Sequence, residues 1–150
     1  MPYALLALVL VILDQVVKYL VLTHIPLGGY VPFLPHVVCL TYVQNTGAAF
    51  SMFSQHTWIL AFISLVMSVV LAVALWKNFF THPLGKVTLS LLLAGAVGNL
   101  IDRAMRGFVV DMFQLLFMNF AVFNVADICV VAGGIAFCVY YVFLHGKGAK

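Results

Sequence analysis

The chain has 150 residues, 65% of them hydrophobic and 7% charged, with a formal net charge of +3. Soluble domains run near about 45–50% apolar and 25% charged, so this is a membrane protein. The positive balance is small and scattered, and no basic patch interleaves with aromatics, which argues against nucleic acid as a partner.

The first apolar stretch, residues 3–22, lacks the basic leader and small-residue cleavage site of a signal peptide and leads into Asp14, Gln15 and Lys18. It is expected to be a retained span. Residues 23–57 hold Pro26, Gly28, Gly29, Pro32, Pro35 and the β-favouring run VVCLTYV, which predicts a small sheet on the membrane surface. Further spans are predicted over 58–76, 87–103 and 128–144, each near the roughly 20 residues that a helical crossing needs. Residues 112–126 are also uncharged, but Gln114, Asn119 and Asn124 interrupt them. They are expected to form an interfacial or re-entrant connection, with a fifth span as the alternative. No linker composition divides the chain, so a single domain over 1–150 is expected.

Lysines set the expected topology. Lys77 and Lys86 flank one connection, Lys147 and Lys150 lie in the tail, and 23–57 has no Lys or Arg. Both termini are therefore expected on the cytoplasmic side, although Arg103 and Arg106 fall on the outer side.

Four acidic side chains, all aspartates, are present. In this topology Asp102 ends the third span, Asp127 opens the fourth and Asp111 lies between them, at the outer interface. Asp14 stands about 12 Å from the outer end of its helix. An ionisable group in a span faces a partner or a wet cavity. Asp14 and Lys18 are four apart and can pair. Asp102 has Arg103 beside it, Arg106 one turn on and Asn99 one turn back, which favours a structural or substrate-positioning role.

Asp111 in GFVVDMFQL and Asp127 in FNVADICVV have no basic residue within four positions. Two such groups in a partly desolvated site can share a proton, as an aspartic dyad does. The other possibility makes Asp127 a helix N-cap and Asp111 a solvated loop acid, and the spacing leaves both open.

Other chemistries find little footing. There is no glutamate, hence no HExxH, and the five histidines, His24, His36, His56, His82 and His145, are dispersed. No GxSxG or GxxxxGK[ST] occurs, and Ser51 and Ser54 have no lysine nearby. No metal and no cofactor is expected. Cys39, Cys129 and Cys138 lack ligand spacing and are expected to pack. Gly95 and Gly98, and Gly133 with Gly134, suit close helix contacts. Asn45, Asn99 and Asn124 stand beside a glycine turn or an aspartate, where an amide can bind substrate backbone, fix a carboxylate, or simply cap a turn.

Five blocks, DQVVK (14–18), NTGAAF (45–50), GNLIDR (98–103), VVD (109–111) and FNVAD (123–127), together resemble the lipoprotein signal peptidase family, signal peptidase II. The resemblance implies an all-α membrane protein, with four transmembrane helices, an outer-face β cradle in 23–57 and a short surface helix. It implies an aspartic endopeptidase of the bacterial cytoplasmic membrane that cuts a diacylglyceryl prolipoprotein just before its lipid-bearing cysteine. Asp111 and Asp127 match the catalytic pair. Asn45, Gly47, Asn99, Asp102, Arg103 and Asn124 match positions that shape the pocket and hold substrate, and Asp14 and Lys18 match the first block. The expected partners are the prolipoprotein and membrane lipid, and the expected state is a monomer.

Two rivals make different demands. A small proton-coupled transporter calls for carboxylates at the midplane and repeat symmetry, neither of which the sequence offers. A noncatalytic assembly subunit packing through Gly95 and Gly98 makes Asp111 dispensable.

Overall fold

The computed structural model describes residues 2–47 and 57–144. In chain order these form α1 (Pro2–His24), β1 (Tyr30–Leu34), β2 (Val38–Asn45), α2 (Thr57–Trp76), α3 (Pro83–Arg106), β3 (Val109–Leu115) and α4 (Val125–Val139), with one π-helical turn over Tyr140–Leu144 continuing α4. Four helices, counting α4 through Leu144, are 20 to 24 residues long and apolar enough to cross a membrane, as expected.

Local chemistry sets the helix ends. α3 begins before the expected residue 87 because His82 Nδ1 accepts the Leu84 N–H at 3.1 Å and Pro83 has no N–H to satisfy in the first turn. It stops where Gly107, at φ +77°, returns its N–H to the Arg103 carbonyl. α4 likewise starts before the expected 128, at a capped turn described below.

The helices are inverted relative to a soluble bundle. Leu5, Leu8, Ile12, Val69 and Val131 point outward, whereas Asp14, Lys18, Ser90 and Asp102 are buried. Lipid is as apolar as any core, so apolar side chains gain little by turning inward, while polar groups must find partners inside. Glycine lets α3 and α4 close up, because a Cβ on Gly95 would stand 2.5 Å from the Ala126 carbonyl oxygen. Gly133 serves a similar contact with Leu92, whereas Gly134 faces open space, so the expected glycine pair divides.

The sheet has three antiparallel strands in the order β1-β2-β3. The start of the connection expected over 112–126 is taken up by the third strand, through Leu115, and its described residues form no fifth membrane-length helix. β3 alternates: Val110 and Met112 enter an apolar cluster with Val21, Ile25 and Tyr42, while Val109 and Asp111 line a cleft on the other face. Residues 109–112 are buried on both faces, so the polar-out alternation that would have marked a strand is missing. Beyond β3 the chain folds back, and Phe123 exchanges backbone hydrogen bonds with Phe113 at 2.8 and 3.1 Å. This return brings the start of α4 beside β3.

The described part of 23–57 contains no surface helix. The rest of that loop, 48–56, lies outside the described residues with Ser51, Ser54 and His56, as do His145, Lys147 and Lys150.

Candidate active site

The first turn of α4 carries Asp127, though not as its N-cap. Asn124 holds that position with an extended backbone, and its Oδ1 accepts the Asp127 N–H at 2.9 Å. Asp127 Oδ2 accepts the Asn124 N–H in return, at 3.1 Å, closing a capping box. The second Asp127 oxygen accepts from Asn99 Nδ2 at 2.8 Å.

Asp111 reaches the same place from β3. It pairs with Val43 of β2, so Asn45, two residues along, shares its face. Asn45 Nδ2 donates to Asp111 Oδ2 at 2.9 Å, and Asn124 Nδ2 donates to Oδ1 at 2.6 Å. The side chain is 1% exposed, which overturns the solvated-loop possibility. Burial raises its pKa from 3.8 to about 6. The Asp127 charge adds to the rise, against the donors Asn45 and Asn124 and the more distant Lys18.

Behind the pair lies a buried ionic cluster. Lys18 Nζ sits 2.9 Å from Asp14 Oδ2, 3.1 Å from Asp102 Oδ2 and 3.0 Å from Asn99 Oδ1. An ammonium only donates, so the Asn99 oxygen must face Lys18 and its amide nitrogen must face Asp127. The Asp14–Lys18 pair expected within one helix is thus part of a link between α1 and α3. Arg106 completes Asp102 at 2.5 Å, whereas Arg103 turns to the Gly47 carbonyl and Ser64 Oγ, at 3.3 and 3.4 Å. The Gly47 N–H in turn bonds Asn45 Oδ1 at 2.9 Å.

Every site residue singled out in the sequence therefore enters one connected set of contacts. Two contributors were missed. Gln15 Nε2 donates to Asp14 and to the Gly98 carbonyl, both at 3.1 Å, and its place within a span was a usable signal because amides there need partners. Ser64 gave none, since serine is ordinary in membrane helices.

The pair opens onto a cleft of about 530 Å³, with Asn45, Asn99 and Arg103 at its polar end and Phe120, Val131 and Ile135 along its apolar wall. A second, more polar cleft of about 380 Å³ reaches Asp111 past Gln44, Thr46 and Asn119. Among the described residues no group of three or more His, Cys, Asp or Glu could hold a metal ion.

Four membrane-length helices with two carboxylates joined through one asparagine, at the polar end of an apolar cleft, define a multi-pass membrane protein with a paired-acid site. The family model for signal peptidase (SPase) II matches residues 6–143. The lipoprotein signal peptidase of Enterococcus faecalis is 44% identical over 149 residues, covering 99% of this chain and 91% of that protein. The one from Streptococcus pneumoniae is 45% identical over 136 residues, covering 87% of this chain and 85% of that protein. A bacterial membrane enzyme solved by the in meso method superposes with a TM-score of 0.89 at 30% identity, covering 99% of this chain and 92% of that one. The chain belongs to the signal peptidase II family, an aspartic-type peptidase family.

Proposed function

We propose that the chain removes the signal peptide from diacylglyceryl-modified prolipoproteins, cutting before the lipid-bearing cysteine, with Asp111 and Asp127 as its catalytic pair. The observation that carries the reading is that Asn124 hydrogen-bonds both aspartates at the polar end of an apolar cleft. A substrate held by acyl chains and an apolar signal helix stays at the bilayer, so the hydrolytic groups must meet it there.

The chemistry follows from the surroundings of each acid. Burial raises the Asp111 pKa to about 6, which favours this member of the pair as the carrier of the shared proton. Asp127 sits at a helix N-terminus and accepts two N–H groups, an arrangement that suits the general base of the pair. Asp127 takes a proton from a water between the two, and the water oxygen bonds the scissile carbonyl carbon. Asp111 gives its proton to the carbonyl oxygen. On collapse the C–N bond breaks, the amine takes up the proton held by Asp127, and the hydroxyl proton returns to Asp111. The products are a mature chain with an amino-terminal lipidated cysteine and the signal peptide with a new carboxyl terminus, which releases its proton to solvent.

Asn45, Gly47, Asn99, Arg103 and Asn124 shape the pocket and hold substrate, with Asp14, Lys18 and Asp102 behind them. Residues 1–150 act as one domain and as a monomer in the bacterial cytoplasmic membrane, both termini cytoplasmic and the site near the outer face. The lysine distribution supports that orientation.

The test is cleavage of a diacylglyceryl prolipoprotein by purified wild type, Asp111→Asn and Asp127→Asn, with folding followed by thermal unfolding in detergent. Both variants are expected to fold and neither to cut. Cleavage by both at near wild-type rate would overturn the pair, and an inactive wild type would overturn the substrate.

A further inference from the structure

Each aspartate of the proposed pair follows a residue whose backbone N–H is held by another buried carboxylate. The Ala126 N–H, just before Asp127, donates to Asp14 Oδ1 at 2.8 Å. The Val110 N–H, just before Asp111, donates to Asp102 Oδ2 at 3.0 Å. Asp14 on α1 thus grips the first turn of α4, and Asp102 on α3 grips β3.

One ammonium joins the two grips. Lys18 lies 2.9 Å from Asp14 and 3.1 Å from Asp102, and its third partner, Asn99, donates to Asp127. Lys18, Asp14 and Asp102 are 0%, 1% and 0% exposed. A buried ion cluster of this kind adds little net stability, because desolvation offsets the attraction between its charges. Its geometry is the more informative property: each carboxylate fixes one strand or turn, and a donor-only group fixes both carboxylates and the Asn99 amide.

We propose that Lys18 is a positioning residue, which sets the spacing of Asp111 and Asp127 by tying Asp14 to Asp102 and orienting Asn99. The proposal rests on the dyad reading above. Arg106 binds Asp102, and Gln15 Nε2 reaches Asp14 at 3.1 Å and Asp102 at a longer 3.5 Å, so Gln15 also spans the two carboxylates, but it is Lys18 that binds the Asn99 oxygen.

The test compares wild type, Lys18→Met, Lys18→Met with Asp14→Asn, and Asp111→Asn as the inactive reference, all as the full chain. Thermal unfolding, KM and kcat on the diacylglyceryl prolipoprotein are measured for each. Lys18→Met leaves two carboxylates against Arg106 and lowers Tm. The double variant balances the charge, keeps an amide oxygen for the Ala126 N–H, and recovers Tm. In both, kcat stays about 100-fold below wild type with KM within about twofold, the scale expected when reacting groups are misplaced by an ångström. If the double variant recovers kcat together with Tm, Lys18 only neutralises charge and the proposal fails. If the double variant does not fold, the cluster serves the fold and the proposal fails likewise. Cleavage by Asp111→Asn at wild-type rate would remove the dyad reading itself, an outcome distinct from either of these.

Discussion

Asn124 Nδ2 lies 2.6 Å from Asp111 Oδ1, and the same side chain caps the helix that carries Asp127. One asparagine thus sets the direction of one acid and the backbone of the other. Removing it costs two different things that substitutions can separate. Asn124→Ala loses the cap and the donor, with an expected destabilisation of about 1–2 kcal/mol for the cap alone. Asn124→Ser keeps a cap but is too short to reach Asp111, so it should recover most of the stability and none of the lost kcat. Thermal unfolding alongside single-turnover cleavage reads both, and equal recovery of the two would mean that the contact with Asp111 is idle.

The Asp111 carboxyl makes stability depend on pH with a definite sign. Its pKa is about 6 in the folded chain against 3.8 for the free side chain. The folded state therefore binds this proton more tightly than the unfolded one. The resulting stabilisation is complete below pH 3.8 and is lost as pH rises through 6, in total about 3 kcal/mol. Asp111→Asn cannot titrate. The difference in unfolding free energy between the variant and wild type should shift toward the variant by about that amount between pH 4 and 7. A difference that stays flat over this range would mean an unperturbed carboxyl.

The glycines of α3 and α4 give a graded series. A Cβ on Gly98 would stand 2.7 Å from Asp14 Oδ2 and 3.1 Å from the Ala126 Cβ. Gly98→Ala should displace Asp14 and lower both Tm and kcat. Gly95→Ala meets the Ala126 backbone carbonyl, which cannot yield locally, and should destabilise by several kcal/mol or prevent folding. Gly134 has nothing within 4 Å, and Gly134→Ala should leave activity unchanged and shift stability by less than about 1 kcal/mol. Thermal unfolding of the three variants in one detergent orders them, and a Gly134→Ala loss equal to that of Gly95→Ala would contradict the packing described.

The sequence by itself determined the four spans, because a continuous apolar length is a local property that the bilayer reads directly. It also isolated Asp111 and Asp127, since aspartates without a nearby base stand out in a chain with four acids. Tertiary structure alone decided what holds them. β3 did not show in the sequence because both faces of its first half are covered, and Asn124 took the cap that Asp127 was equally suited to fill. Asp14 meets the Ala126 N–H across 112 positions, and Lys18 meets Asn99 across 81. In a low-dielectric interior an unpaired charge is costly, but which partner a buried charge finds depends on the approach of distant segments, and no local period in the sequence records that.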